Sequence, residues 1–301
     1  FPTRRSSDLG LVALPEASVA RLVSPVPAAG VDPAALQRAI GGDDSGTLGR
    51  ALPKDATSIT MTSTVSIRIT ETDLAVVGTL PSVPDAAMFE GSAWLVDAAG
   101  TPARARFSYT LEPDPASVPE VAPDPADPEP SAAPGGPTSG RLVATATLPK
   151  GEAPWTLVGI VDGLTNGPGS HPVYVTRTGL TVTGSGGPST LDWPGNADVV
   201  YQDQDFVSAA MFAPVPADVP VVVTRGLADA LDLAVGSTAE VALDTTGSVV
   251  PGRVTEIVAA VPGTSSGAAV LVPYDRAMQV MVAKAHVADL PNELWASGDG
   301  A

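Results

Sequence analysis

The sequence predicts a mainly β protein: an antiparallel, jelly-roll-like β-sandwich followed by a small, partial α+β unit. Three features carry this. In "TSITMTSTVSIRIT" (Thr57–Thr70) the odd positions Ile59, Met61, Val65, Ile67 and Ile69 are apolar, Ser63 being the one exception from Ile59 on, and the even positions are polar. Short segments of the same kind recur after it with turn residues between them. After Gly184 the texture changes to strand, helix and strand again.

The elements are expected in the following order. "FPTRRSSDL" (Phe1–Leu9) is what one frame of a common sequencing-adapter end translates to, so residues 1–9 are expected to be artefact and take no part in the fold. Residues 10–50 are weakly patterned and hold one short helix in "DPAALQRAIGG". There Asp32 caps, Pro33 fits the first turn, Gly41 ends the helix, and Leu36 and Ile40 form its stripe. Residues 51–186 form the sandwich, its strands read from "TSITMTSTVSIRIT", "SAWLVD", "ARARFSYTL", "RLVATATLP", "WTLVGIVD" and "GLTVTG". One face of each is dry and the other wet, as an antiparallel sheet requires. Between two of them, Glu112–Gly140 holds nine prolines, six acids and no base. Such a segment buries too little apolar surface to offset its ordering entropy, so it reads as a disordered excursion from a hairpin.

Residues 187–301 are expected to form the α+β unit. Pro220 precedes an apolar strand, Val221–Val223. Thr224 is placed to cap a helix whose Leu227, Ala230 and Leu231 share a face, and Gly236 turns the chain into "STAEVALD". "VVPGRVTEIVAAVP" is a further strand, and "AAVLVPYDRAMQVM" a strand entering a helix. Ile257–Tyr274, the longest charge-free apolar stretch worth testing for a membrane span, is broken by Pro-Gly and two serines and reads as two strands around a turn.

Composition narrows the function classes. With 33 acidic and 16 basic residues the net charge is −17, which argues against nucleic acid or an anionic membrane surface as main partner. There is no cysteine, so disulfides, thiolate metal sites and cysteine nucleophiles are excluded; two histidines, His171 and His286, exclude a histidine-rich metal site. "GTSSG" (Gly263–Gly267) matches the G-x-S-x-G of a nucleophile elbow, with Asp275 and His286 downstream. Its flanks are wrong for one, because Pro262 precedes it and an apolar strand follows, so a β-turn reading is preferred. Asp203 and Asp205 in "YQDQDF" could share a strand face toward a hard cation, but two carboxylates fall short of a site. His171 reads as a loop residue. Trp94 and Trp155 read as sandwich core rather than sugar-stacking platforms. No P-loop is present. No catalytic, cofactor-binding or metal-binding residue is therefore assigned.

From Trp193 onward, "PVVVTRGLADALDLAVGSTAEVAL", "VPGRVTEIVAAVPGTSSGAAVLVPYDRA" and "LPNELWASGDGA" resemble the extracytoplasmic, MacB-like periplasmic domain of large FtsX-like ABC transporter permeases from high-GC bacteria. Ala228, Leu231, Leu233 and Gly236 occupy the family's A-x-x-L-x-L-x-x-G block, and "PNELW" (Pro291–Trp295) resembles the approach to its next β-α unit. The sandwich resembles the β-rich insertion of the larger members. The resemblance implies a non-catalytic domain on the outer side of the cell membrane. It would be joined to transmembrane helices and work with a separate ATPase subunit, and its contacts would be an envelope protein, lipid or glycan. The chain would then be a fragment. The alternative is a secreted carbohydrate-binding or surface-adhesion sandwich.

Overall fold

The computed structural model describes residues 9–16, 19, 32–41, 47–68, 82–118, 136–165, 171–201, 206–242, 249–262, 264 and 267–285. Its first strands are β1 (Leu9–Leu14), β2 (Arg50–Ala51), β3 (Ala56–Ile67), β4 (Phe89–Val96), β5 (Pro102–Arg106) and β6 (Ser108–Pro113). There follow β7 (Ser139–Thr147), β8 (Thr156–Leu164), β9 (Val173–Gly184), β10 (Gly187–Leu191), β11 (Asp198–Tyr201) and β12 (Phe206–Met211). The last are β13 (Val219–Thr224), β14 (Thr238–Ala242), β15 (Val249–Val258) and β16 (Ala268–Pro273). Among the described residues three α-helices have full bounds: α1 (Pro33–Gly41), α2 (Arg225–Leu231) and α3 (Tyr274–Ala283).

The fold is mainly β, with a sandwich and an α+β part. The outer sandwich sheet has the order β10-β9-β3-β7-β6, with β11 also on β9; the inner sandwich sheet runs β12-β8-β4-β5, with β2 on β8. Period-two patterning builds the core between them. Ile59 and Met61 of β3, Ala144 and Ala146 of β7, and Leu180 and Val182 of β9 meet Ala93, Leu95, Leu157 and Ile160 of the inner sheet. Full burial of each larger side chain contributes about 1.5–3 kcal/mol. Trp155 lies in this core as expected, 5% exposed; Trp94, expected there too, is 1% exposed but packs on the opposite face of the inner sheet.

β8 is buried along nearly its whole length, unlike an alternating sandwich strand. The reason is a third layer. Leu157 and Ile160 face the sandwich core, while Val158 and Val161 face α3 together with Trp94 and Val96. Every residue of α3 from Tyr274 to Val282 is buried, because the helix lies between the inner sandwich sheet and a mixed sheet of order β1-β16-β13-β15-β14. α1 covers the opposite face of that mixed sheet through Leu36 and Ile40, both fully buried against Val12, Leu14, Val222 and Leu271. Asp32 caps α1 as expected, its carboxylate accepting from the Ala34 N–H at 3.0 Å.

Several expectations are corrected. Residues 10–50 are not simply a helical segment. Leu9–Leu14 is a strand, β1, paired in parallel with β16, so Leu9, expected to be artefact, takes part in the fold, while residues 1–8 lie outside the described residues; six residues are too few to display a period, and every one of them is apolar or glycine although Leu11 is exposed. The α+β unit does not begin at residue 187, because β10 and β11 pair with β9, and β12 with β8, within the sandwich. "ARARFSYTL" is two strands that part at Phe107, one in each sandwich sheet, and the inward set Ala105, Phe107, Tyr109 persists across the corner.

The ends of the acidic proline-rich stretch are ordered. Pro113 pairs with Gly140 in the β6–β7 hairpin, and Asp114 caps a short turn by accepting from the Ala116 N–H at 3.0 Å. Residues 119–135 of that stretch lie outside the described residues. β15 and β16 do not form a hairpin, since β13 lies between them. Thr224 stands at the N-cap of α2 without capping it. Its hydroxyl donates to the Gly267 carbonyl at 3.0 Å and accepts from the Ala269 N–H at 2.9 Å, tying α2 to β16. Of that helix only Ala228 is buried, and Leu231 is 59% exposed.

Candidate functional site

The largest polar cluster inside the sandwich is built on Arg177 and Asp162. By its period of two, β9 would turn residue 178 inward, in step with Leu180 and Val182. A bulge intervenes: Thr62 pairs with Gly179 but Ser63 with Arg177, so the parity flips and Arg177 points inward with Val175 and Val173. Its Nη2 donates to Asp162 Oδ1 and to Ser208 Oγ, each at 2.5 Å, and the pair is almost fully buried, with side chains 2% and 7% exposed. Ser208 also donates to Asp162 Oδ1 at 3.2 Å, and the Tyr201 hydroxyl donates to Oδ2 at 3.3 Å. The guanidinium lies over the Trp193 ring, 4.7 Å from its centroid, in cation–π contact.

Small residues make room for this cluster. Ser63, the break in the apolar run of β3, pairs with Arg177 and is 1% exposed. Above and below it the core separates into two apolar clusters, one around Ile59 and Met61 and one around Val65 and Ile67. At Gly91, a side chain would run into the Tyr109 hydroxyl and, at 2.7 Å, the Val161 carbonyl. Burial and the Asp162 carboxylate push both Tyr109 and Tyr201 far above the usual phenol range, so both stay neutral. The cluster clamps the two sheets together. A cation paired through Nη2 with a carboxylate and a hydroxyl, its Nε buried without a hydrogen-bond partner, is a structural arrangement.

A pair of acids meets where β1 reaches α3. Asp275, in the first turn of α3, is 5% exposed and accepts from the Arg276 N–H at 3.1 Å. Burial raises its pKa above the ordinary carboxyl range; Glu16 is raised as well, by burial and then by the Asp275 charge. Asp275 was the acid of the conceivable Ser265–Asp275–His286 arrangement. Ser265 and His286 lie outside the described residues, as do Asp203 and Asp205. His171 sits just before β9, half-buried. Among the described residues no group of three His, Asp or Glu could hold a metal, and no helix is long and apolar enough to cross a membrane.

The outer face of the inner sandwich sheet is only partly covered by α3. Beyond the helix it opens into a groove of 360 Å³ whose polar lining includes Arg104, Arg106, Ser92 and Glu90. Sequence reasoning noted Ser63 and weighed Trp94, which lines the groove, but assigned no site to the buried cluster or to the groove. The signals available were Ser63 inside an apolar run, the parity change across Gly179, and the alternate arginines of "RAR". No family model matches the chain, and no curated protein matches it.

Proposed function

We propose that this chain is the non-catalytic extracytoplasmic domain of an FtsX-like ABC transporter permease, coupling ATP hydrolysis on a separate cytosolic subunit to movement outside the membrane. The observation that carries the reading is the discontinuity of the mixed sheet. β1 supplies one edge, β13 to β16 supply the rest, and the whole sandwich from β2 to β12 is inserted between them. A sandwich inserted in a small α+β unit is the arrangement the sequence resemblance implies for the larger members of that family.

The packing suits a domain that works by moving as a body. α3 is buried between the mixed sheet and the sandwich, and Gln279 on it donates to the Pro214 carbonyl at 2.9 Å in the link between β12 and β13. Arg177 and Asp162 join the sandwich sheets in turn. A push on the mixed sheet is therefore transmitted to the outer sheet through buried contacts. The alternative, a secreted glycan-binding sandwich, would call on Trp94 or Trp155 as stacking platforms, and both are buried.

The test is the complete reading frame. The proposal expects transmembrane helices on both sides of this domain and an ATPase subunit encoded with it. A frame with a signal peptide and no membrane span would overturn it in favour of the secreted module.

A further inference from the structure

The groove beyond α3 carries two arginines that no acid among the described residues neutralises. Arg104 and Arg106 stand two apart on β5, so both project from the outer face of the inner sheet, about 7 Å from each other along the strand. Ala105, between them, faces the sandwich core. Neither arginine makes an ion pair among the described residues, although the chain has 33 acids for 16 bases. Arg104 is held in place over the Trp94 ring, 5.5 Å from its centroid, and Arg106 pairs across the sheet with Ser92. Like charges so placed repel each other, a cost that an anion between them removes.

The rest of the groove supplies shape and an apolar contact. Crossing the sheet from β5, the floor falls to Ser92 on β4 and Gly163 on β8 and rises again at Val207 on β12, which is 36% exposed. Gly163 lines the groove with buried backbone and no side chain standing on it. Glu90 pairs with Gly163 and lies one step beyond Ser92, so the acid is at the far end from Arg104. The groove is thus cationic along β5, carries the acid Glu90 on β4 in the row that leads through Gly163 to Val207, and is apolar at Val207.

We propose that this groove binds a soluble organic anion, with a carboxylate or phosphate head between Arg104 and Arg106 and a short aliphatic body directed toward Val207. Planar guanidinium groups match both oxyanions through paired N–H donors, and a concave site of this size with a few placed charges is the usual form of a small-molecule pocket. A bilayer surface is disfavoured as the source of the anion, because a chain of net charge −17 is repelled by anionic lipid.

The experiment titrates the protein with octanoate, octyl phosphate, inorganic phosphate and hexanol by calorimetry, and with phosphatidylglycerol vesicles by flotation. Saturable one-to-one binding of octanoate or octyl phosphate is expected, weakening as salt rises; whichever binds more tightly identifies the head group. Arg104→Gln and Arg106→Gln should each weaken it at least tenfold, Val207→Asp should weaken it as well, and Arg50→Gln, outside the groove, should leave it unchanged. Arg106 is exposed, so its replacement tests binding without disturbing the fold. Absence of saturable binding, equal binding by the arginine variants, binding of inorganic phosphate or hexanol as tight as that of the amphiphiles, or recruitment to the vesicles in their place would each overturn the proposal.

Discussion

Replacing Arg177 by Met removes the only cation among the described residues that touches Asp162, while keeping much of the aliphatic volume. The carboxylate would retain the Tyr201 and Ser208 hydroxyls, at 3.3 and 3.2 Å, and lose the 2.5 Å charge-assisted bond. The pair's side chains are 2% and 7% exposed, so water cannot take the place of the guanidinium without the sheets parting. Removing one partner of such a pair costs about 3–5 kcal/mol, a large share of the roughly 5–15 kcal/mol that holds a domain folded. The Arg177→Met/Asp162→Leu double variant removes both charges, and replacing a buried pair with apolar groups is often neutral or better. It should recover at least about 2 kcal/mol relative to the sum of the singles. Urea unfolding followed by tryptophan fluorescence reads this directly, since Trp193 lies against the guanidinium. If Arg177→Met and Asp162→Leu each cost under about 1 kcal/mol and simply add, the clamp between the sheets is not what holds the sandwich closed.

Met278→Ala, at a fully buried position in α3, should cost about 2–5 kcal/mol. Because α3 touches both the sandwich and the mixed sheet, thermal unfolding should remain one transition; two separated transitions would show that the layers are not coupled through the helix. Gly91→Ala should destabilise by about 1–3 kcal/mol and shift the near-ultraviolet signal of Tyr109, because its methyl group meets that hydroxyl. The Asp275 pKa is raised on folding, so the stability it contributes is fully present below the ordinary carboxyl value of about 4 and is lost as pH rises through the folded value. Asp55, held below that range by the Ser185 hydroxyl and the Gly186 N–H, acts in the opposite sense and at lower pH. As pH rises from about 4, the melting midpoint of Asp275→Asn should therefore fall less than that of the parent, and parallel curves would refute the assignment.

The sandwich was legible wherever one face meets solvent. The alternation of Ile59, Met61, Val65 and Ile67 gave strand, face and core together, because β3 is covered on one side only. Legibility failed where a strand lacks a polar face. β1 and β8 have none to mark a period, so the third layer behind β8 left no trace in local pattern. It failed again where tertiary context overrides local chemistry. The Thr224 hydroxyl prefers the backbone of β16 to the end of its own helix, and β10 to β12 join the sandwich although the chain there is rich in turns. The buried cluster was half visible. Ser63 interrupts an apolar run for a reason, but that reason sits 114 residues later in a bulge whose pairing no local window contains.

The account rests most heavily on the outward side of a membrane, and one labelling measurement addresses it. The chain has no cysteine, and Leu231 is 59% exposed on α2, so Leu231→Cys introduces an accessible thiol into this domain. In intact cells making the full-length protein, the account predicts that a membrane-impermeant maleimide labels this cysteine without lysis and that the labelled protein sediments with membranes. Labelling only after lysis, or labelled protein free in the medium, would contradict it.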